Sequence, residues 1–170
     1  VSRYDKISYS AWFKIETLSG LAGLISKPRD GYGHGADIGI SNGFLTGAFN
    51  RHPTNLLVTG STQSNDSLWH FATYVNNGSK VFIYIDGNFD GEDSHGQGSA
   101  TSTQTIIIGK TFHYDISDGN GERFFNGSID DVRIYDRALS ETEVDALYAL
   151  ESAPIPPHGL QLWLDGKDMD

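Results

Sequence analysis

Aromatic rings, imidazoles and one guanidinium stand in or beside stretches rich in glycine, asparagine and proline, where a chain presents side chains to a ligand. A ring can cover the flat face of a sugar while nearby polar groups fix its orientation through hydrogen bonds. We therefore predict a glycan-binding site among loop residues Tyr32, His34, Arg51, His52, His113 and Tyr114. The alternative is that Tyr32 and Tyr114 only pack down their own loops.

Other residues of similar chemistry lie within predicted strands. Trp12 and Trp69 are expected in the core or on a sheet face rather than in a ligand site, and His70 is expected to be structural. The six histidines show no metal-ligand spacing. The sequence contains no Gly-x-Ser-x-Gly elbow, His-Glu-x-x-His motif or phosphate loop, so we predict that the chain is not an enzyme.

The balance of charge is acidic, with 22 Asp and Glu against 12 Lys and Arg and a net charge of -10. Such a surface repels phosphate backbones, which excludes nucleic acid as a partner. Much of the acid lies in glycine-rich stretches at 86–93 and 115–122, which are predicted to be loops. These carboxylates serve solubility, or some of them hold a hard cation such as calcium, which prefers oxygen ligands. The 115–122 stretch lacks the EF-hand spacing and is predicted to be an ordinary loop.

The absence of cysteine excludes disulfides, thiol catalysis and cysteine-based zinc sites. No apolar run approaches the roughly 20 residues that span a bilayer, so we predict no membrane insertion.

Alternation of polar and apolar residues predicts the fold. From Ile7 to Glu16 every second residue is apolar, which places these side chains on one face of a strand. Further strands are predicted at 22–27, 36–40, 44–50, 55–60, 68–75, 80–86, 104–110 and 127–136. Asn-Gly and Asp-Gly pairs at 42–43, 77–78 and 86–87 mark tight turns. About nine short strands at this spacing predict an all-β fold, a two-sheet antiparallel jelly-roll sandwich.

One short helix is predicted to close the domain. Ser140 and Glu143 have the spacing of a capping box, and Leu139 and Val144 that of a hydrophobic staple. The face bearing Val144, Leu147 and Tyr148 would dock on the sheet. Residues 1–151 are predicted to form one domain and 152–158 a proline-rich linker. Residues 159–170 would begin another module or supply a strand to this one.

One carboxylate is predicted to face the interior. Alternation along 129–135 puts Asp130 on the same side as Val132 and Ile134. An unpaired buried carboxylate costs several kcal/mol, so Asp130 would need donors or a metal. The alternatives to a metal are backbone N–H groups, Lys27 or Arg133.

Five segments resemble, in order, those of the laminin-G-like, concanavalin A-like jelly-roll modules of large extracellular proteins. They are Tyr9–Lys14 (YSAWFK), Ile25–Lys27 (ISK), Ser67–Ala72 (SLWHFA), Val81–Gly87 (VFIYIDG) and Phe125–Glu143 (FNGSIDDVRIYDRALSETE). The resemblance covers roughly residues 4–150. It implies two curved antiparallel sheets, a structural calcium ion, and binding of glycans or proteins outside the cell.

For this chain the resemblance implies that Asp130 binds the calcium together with backbone carbonyls of residues 27–31, with Asp30 as a weaker ligand. Members usually open with a strand that is missing here, and residues 159–170, which contain Leu-Trp-Leu-Asp-Gly, resemble it. The resembling glycoside hydrolases draw their carboxylates from a Glu-x-Asp-x-Glu strand, which this sequence lacks.

We therefore predict a non-catalytic binding module of a multidomain exported or cell-surface protein. Its expected partner is a polysaccharide or glycan, and its expected calcium is structural. The alternative is a calcium-stiffened structural or adhesive spacer that contacts other proteins.

Overall fold

Two five-stranded antiparallel sheets pack face to face around one main core, which confirms the predicted sandwich. The computed structural model describes residues 2–3, 6–17, 20–28, 35–51, 54–94, 101–112 and 122–152. Ser152, the first residue of the predicted linker at 152–158, is instead the last residue of the C-terminal helix. Residues 153–158 and the predicted strand at 159–170 lie outside the described residues and stay predictions.

One sheet, which we call the helix-side sheet, contains in spatial order β14 Gly127–Tyr135, β2 Ile7–Ile15, β7 His70–Asn76, β8 Lys80–Ile85 and β9 Asn88–Ser94. The other, the far sheet, contains β11 Ile107–Ile108, β3 Leu21–Lys27, β4 Ala36–Ser41, β5 Phe44–Arg51 and β6 Thr54–Gln63. Two short pairs join β1 Ser2–Arg3 to β10 Thr101–Ser102 and β12 Lys110–Phe112 to β13 Glu122–Phe124. The helix α1 is Glu141–Ser152.

The predicted apolar face of β2 lies in the main core, as expected from its alternation. Tyr9 stacks on Tyr74 of β7 with ring centroids 5.4 Å apart. The Tyr74 hydroxyl then donates to the carbonyl oxygen of Ala48 in the far sheet, at 3.2 Å. The core between the sheets is therefore apolar but includes a polar link from one sheet to the other.

The predicted capping box is present at the start of α1. The backbone N–H of Ser140 donates to Glu143 Oε2 at 2.8 Å, and the N–H of Glu143 donates to Ser140 Oγ at 3.3 Å. Leu139 and Val144, the predicted staple, are buried in one cluster on the outer face of the helix-side sheet. The cap thus starts the helix where its apolar face meets the sheet.

Further along α1, Tyr148 packs against the sheet face. Its ring centroid lies 5.9 Å from that of Trp12 and 6.1 Å from that of Phe71. This contact confirms Trp12 as a sheet-face residue. The Asp86-Gly87 turn runs beneath the same ring: Gly87 has φ +77°, and an added Cβ would lie 2.9 Å from Tyr148 Cδ1.

Two stretches differ from their predicted structure. The acidic stretch predicted as a loop at 86–93 forms the turn at 86–87 and then strand β9. The stretch is predicted as a loop because its composition is polar, but β9 is an edge strand in which only Asp90 is buried. The strand predicted at 104–110 is broken at Gly109, where φ is +76°.

Asp90 joins the edges of the two sheets. Its Oδ1 accepts hydrogen bonds from the backbone N–H groups of Ser61 and Thr62 at 3.0 and 2.9 Å, and from the Ser61 hydroxyl at 3.3 Å. Gly60 leaves the room for this contact, since an added Cβ would lie 1.7 Å from Asp90 Oδ2. A side chain of β9 therefore satisfies backbone donors of β6, across the side of the sandwich.

We expect Asp90→Ala to lower the free energy of unfolding by about 2 kcal/mol, because three hydrogen bonds to a carboxylate oxygen are lost. Chemical denaturation measures this loss. Asp90→Asn keeps an acceptor at Oδ1 and should lose clearly less. Asp93→Ala, which removes an exposed carboxylate from the same strand, is the control and should change little. Equal stability of Asp90→Ala and Asp93→Ala would contradict this role.

Candidate functional site

The predicted ligand residues fall mostly outside the part of the chain that the structure describes. The structure does not describe five of the six: Tyr32, His34, His52, His113 and Tyr114. Their assignment to a ligand site stays a prediction. Arg51 is the last residue of β5 and pairs with Thr54 of β6.

Asp130 does not face the core, so the orientation predicted from alternation is wrong. A β-bulge interrupts the register of β14 with β2 between Asp130 and Arg133, and Asp131 has φ +48°. The bulge adds one residue to the repeat, so Ile129 and Val132, three positions apart, both pack against the core. Asp130 lies between them and is exposed.

The partner of Asp130 is a backbone group. Its Oδ1 accepts a hydrogen bond from the N–H of Asp131 at 2.8 Å, which is one of the alternatives predicted to a metal. The other two are not formed, because Lys27 donates to the carbonyl oxygen of Gln104 and the Arg133 guanidinium pairs with Asp131 Oδ2 at 3.0 Å.

The predicted calcium ligands agree with the surroundings of Asp130 only in part. An exposed carboxylate is compatible with a surface calcium ion completed by water. Of the predicted carbonyl source at 27–31, only Lys27 and Pro28 are described: Lys27 ends β3 in the other sheet, and the Pro28 carbonyl accepts the Ser102 hydroxyl at 2.6 Å. Asp30 lies outside the described residues. Calcium at Asp130 stays a prediction.

A charged cluster that the sequence did not reveal lies at one end of the sandwich, where residues 64–69 cross from β6 to β7. His70 Nδ1 lies 2.8 Å from Asp86 Oδ2, and His70 Nε2 lies 3.1 Å from Asp66 Oδ1. A histidine that donates from both ring nitrogens is the charged imidazolium. The arrangement therefore favours a positive charge held between two negative ones.

Both carboxylates also bind the backbone. Asp86 Oδ1 accepts the N–H of Phe71 at 2.8 Å, and Asp66 Oδ1 accepts the N–H of Leu68 at 2.9 Å. His70 is thus structural, as predicted, and connects the 64–69 crossing to the β8–β9 turn.

Burial by itself lowers the pKa of His70, but the hydrogen bonds to Asp86 and Asp66, and the charges of these carboxylates, outweigh it. The net result is a pKa raised above the usual value for histidine. The pKa of Asp66 is lowered, chiefly because its carboxylate accepts the Leu68 N–H and then because it binds His70. His70 and Asp66 therefore each favour the charged form of the other.

Two large apolar side chains stand exposed beside this cluster. Leu68 is 63% exposed and Trp69 is 44% exposed. The prediction that Trp69 lies in the core or on a sheet face is wrong, because β7 begins only at His70 and Trp69 belongs to the crossing that precedes it. We call residues 65–69 the Trp69 rim.

The start of the rim rests on the β4–β5 hairpin turn. The Ser64 N–H donates to the carbonyl oxygen of Gly43 at 2.8 Å. The Asn65 side chain packs over the same glycine, where an added Cβ would meet Asn65 Cγ at 2.9 Å. Asn42 and Gly43 both have positive φ, 52° and 91°, the turn geometry that an Asn-Gly pair favours. The rim is therefore supported from both sheets.

Residues 2–145 match the family model of the concanavalin A-like lectins and glucanases. The chain belongs to the concanavalin A-like lectin/glucanase superfamily. This match confirms the laminin-G-like, concanavalin A-like resemblance seen in the sequence.

Solved structures share the fold of this superfamily member. The Ruminococcus gnavus IT-sialidase CBM40 bound to α2,3-sialyllactose aligns with a TM-score of 0.68 and 13% identity, over 84% of this chain and 82% of that one. The binding domain of botulinum neurotoxin DC in complex with SialylT gives 0.64 and 18%, over 86% and 36%. The heptameric SAP-like pentraxin from Limulus polyphemus gives 0.64 and 16%, over 86% and 70%.

The chain therefore spans 36% of the length of the neurotoxin structure. No curated protein matches it by sequence. Among the described residues, no helix has both the length and the apolar character needed to cross a membrane.

We expect the His70 cluster to make folding stability depend on pH. The pKa of His70 is raised in the folded state above its unfolded value of about 6.5. Its stabilisation is therefore complete below about pH 6.5 and is lost as the pH rises through the folded-state value.

Urea denaturation from pH 5.5 to 8.5 tests this expectation. The difference in unfolding free energy between the wild type and His70→Gln should shrink as the pH rises. Subtracting the variant removes the titration of the other histidines. A difference that stays constant, or grows, over this range would show that His70 is not held as the imidazolium.

Proposed function

We propose that this chain is a non-catalytic carbohydrate-binding module of a multidomain exported or cell-surface protein. The observation that carries the proposal is the match of residues 2–145 to the lectin and glucanase superfamily, together with both sheets of the sandwich. Lectins and glucanases share carbohydrate as the molecule they recognise, which makes a glycan the expected ligand.

Two of the structural neighbours support a glycan ligand. The CBM40 is bound to α2,3-sialyllactose, and the neurotoxin binding domain is in complex with SialylT. Each supports the proposal because it has the same sandwich fold as this chain.

The chemistry of the Asp66–His70–Asp86 cluster favours a structural role over hydrolysis. A retaining glycosidase needs two carboxylates roughly 5–5.5 Å apart across a sugar bond. In the Asp66–His70–Asp86 cluster the carboxylates have an imidazole between them. Both ring nitrogens of His70 are bound to carboxylates, so neither is available to accept a proton from a nucleophile. The cluster serves to hold the crossing in place.

A glycan array tests the function directly. The protein, displayed as a multivalent fusion, should bind a restricted set of oligosaccharides with a signal that free oligosaccharide displaces. Every array is read twice, with calcium and with EDTA. Silence across neutral and charged glycans in both conditions would reject carbohydrate binding and favour the structural or adhesive spacer.

We propose in addition that calcium acts on this module as a structural ion and that Asp130 is one of its ligands. The exposed Asp130 carboxylate and the acidic surface support this role. An ion that binds only the native state stabilises it by about 2.7 kcal/mol at a hundredfold excess over its dissociation constant.

Calcium is therefore expected to raise the melting temperature, and Asp130→Ala should abolish the increment. Asp136→Ala, which removes another exposed carboxylate just after the same strand, should keep it. Differential scanning calorimetry with calcium and with EDTA measures all three proteins. Superimposable wild-type curves would remove calcium from the proposal.

A further inference from the structure

We propose that the Trp69 rim, residues 65–69, is a binding subsite for an uncharged sugar ring, with the Trp69 indole as the stacking surface and Asp66 as an acceptor for sugar hydroxyls. The inference rests on the proposed carbohydrate-binding function and names a site for it. The rim lies at the end of the sandwich opposite Arg51, since β5 starts at the Asn42-Gly43 turn and ends at Arg51. Arg51, the one described residue of the predicted ligand set, thus lies at the other end of the sandwich.

Exposure of Trp69 is the first observation. A tryptophan that is 44% exposed next to a leucine that is 63% exposed leaves apolar area in water that folding has not buried. Elsewhere in the described residues, Trp12 covers its ring with Tyr148 and Phe71. Trp69 makes no such contact with a ring of any residue that the structure describes. The ring is therefore accessible to a ligand.

The backbone around Trp69 is held on both sides by one atom. Asp66 Oδ1 accepts the N–H of Leu68 and also binds His70 Nε2, so the two residues that flank Trp69 are attached to the same carboxylate oxygen. Ser67 takes φ +64° to close this turn. A ring whose backbone is already fixed loses little conformational entropy when a ligand stacks on it. The geometry is that of a preorganised surface rather than of a loose loop.

Polar groups beside the ring suit a sugar. Asp66 is 49% exposed, and its contacts with Leu68 and His70 both use Oδ1, so Oδ2 takes part in neither of them. Asn65 is also exposed and offers an amide. A carboxylate oxygen accepts hydroxyl protons, of which a pyranose has several, and the indole covers the C–H face of the ring. A ring face with an acceptor at its edge is the combination that recognises a hexose.

Charge decides between sugar classes. Two carboxylates, Asp66 and Asp86, flank the single imidazolium of His70, and the whole chain carries a net charge of -10. An anionic sugar would approach an acidic surface without a free cation in the described part of the rim. The rim therefore selects neutral hexoses over sialylated ones, in contrast to the sialyllactose held by the structurally similar CBM40.

The test compares neutral glycans with their sialylated forms, which carry one additional, anionic sugar. Glycans that bind on the array are measured by isothermal titration calorimetry in neutral and sialylated form, with lactose and 3′-sialyllactose as the reference pair. Wild-type protein should prefer the neutral member. Trp69→Ala should weaken neutral binding by at least about tenfold, the effect expected when an aromatic anchor is truncated.

Phe124→Ala is the matched control, because Phe124 is also an exposed aromatic residue, 65% accessible, and lies on β13 rather than on the rim. It should bind as the wild type does. Asp66→Asn is a second variant, which keeps an acceptor for the Leu68 N–H. It should bind the neutral glycan more weakly and narrow the preference over the sialylated one. Melting curves verify that each variant is folded.

The possible outcomes distinguish failure of the proposed Trp69 site from failure of the proposed carbohydrate-binding function. Unchanged neutral binding in both Trp69→Ala and Asp66→Asn would overturn the rim and leave carbohydrate binding in place. A wild-type preference for sialylated glycans would overturn the charge selection. Absence of any glycan binding by the wild type would reject both proposals together.

Discussion

The fold depends on the two faces of one strand, β2. Its apolar side, from Ile7 to Ile15, lies in the core between the sheets, and its other side carries Trp12, which α1 covers through Tyr148. β14 and β7 pair with its two edges. A shift of register by one residue would move every core side chain of β2 to the wrong face. The positions of the helix and of both neighbouring strands therefore follow from the register of β2.

The same sheet positions the only cluster in the described residues in which one imidazole lies between two acids. β7 starts at His70, and β8 ends just before Asp86, so adjacent strands bring these side chains together at one end of the sandwich. Asp66 then folds back from the crossing to reach the second ring nitrogen. An electrostatic contact in a partly buried place thus gives a long connection a defined shape. Because of it, the exposed Trp69 has a fixed backbone.

Asp130 and Glu143 show which contacts can be predicted from local sequence pattern and which cannot. Glu143 lies three residues after Ser140, so the geometry of the first helical turn is enough to bring them together. The structure confirms this predicted contact. The orientation of Asp130 was inferred from period-two alternation, which holds only while each residue of β14 opposes one residue of β2. The bulge after Asp130 breaks that condition and turns the carboxylate outward. Nothing in the local sequence Ile-Asp-Asp-Val announces a bulge, because the register of a neighbouring strand decides it.

By itself the sequence determined the all-β class, the tight turns at Asn-Gly and Asp-Gly, the capped helix and the family, since each depends on residues close in the chain or on motifs in a set order. It did not determine that residues 88–94 form a strand, because an edge strand needs few apolar residues. Nor did it reveal the contacts of Asp90 with Ser61 and of Asp66 with His70 and Asp86. These join residues that meet only when two sheets pack, so tertiary structure alone decided which acids became structural and which tryptophan was left in water.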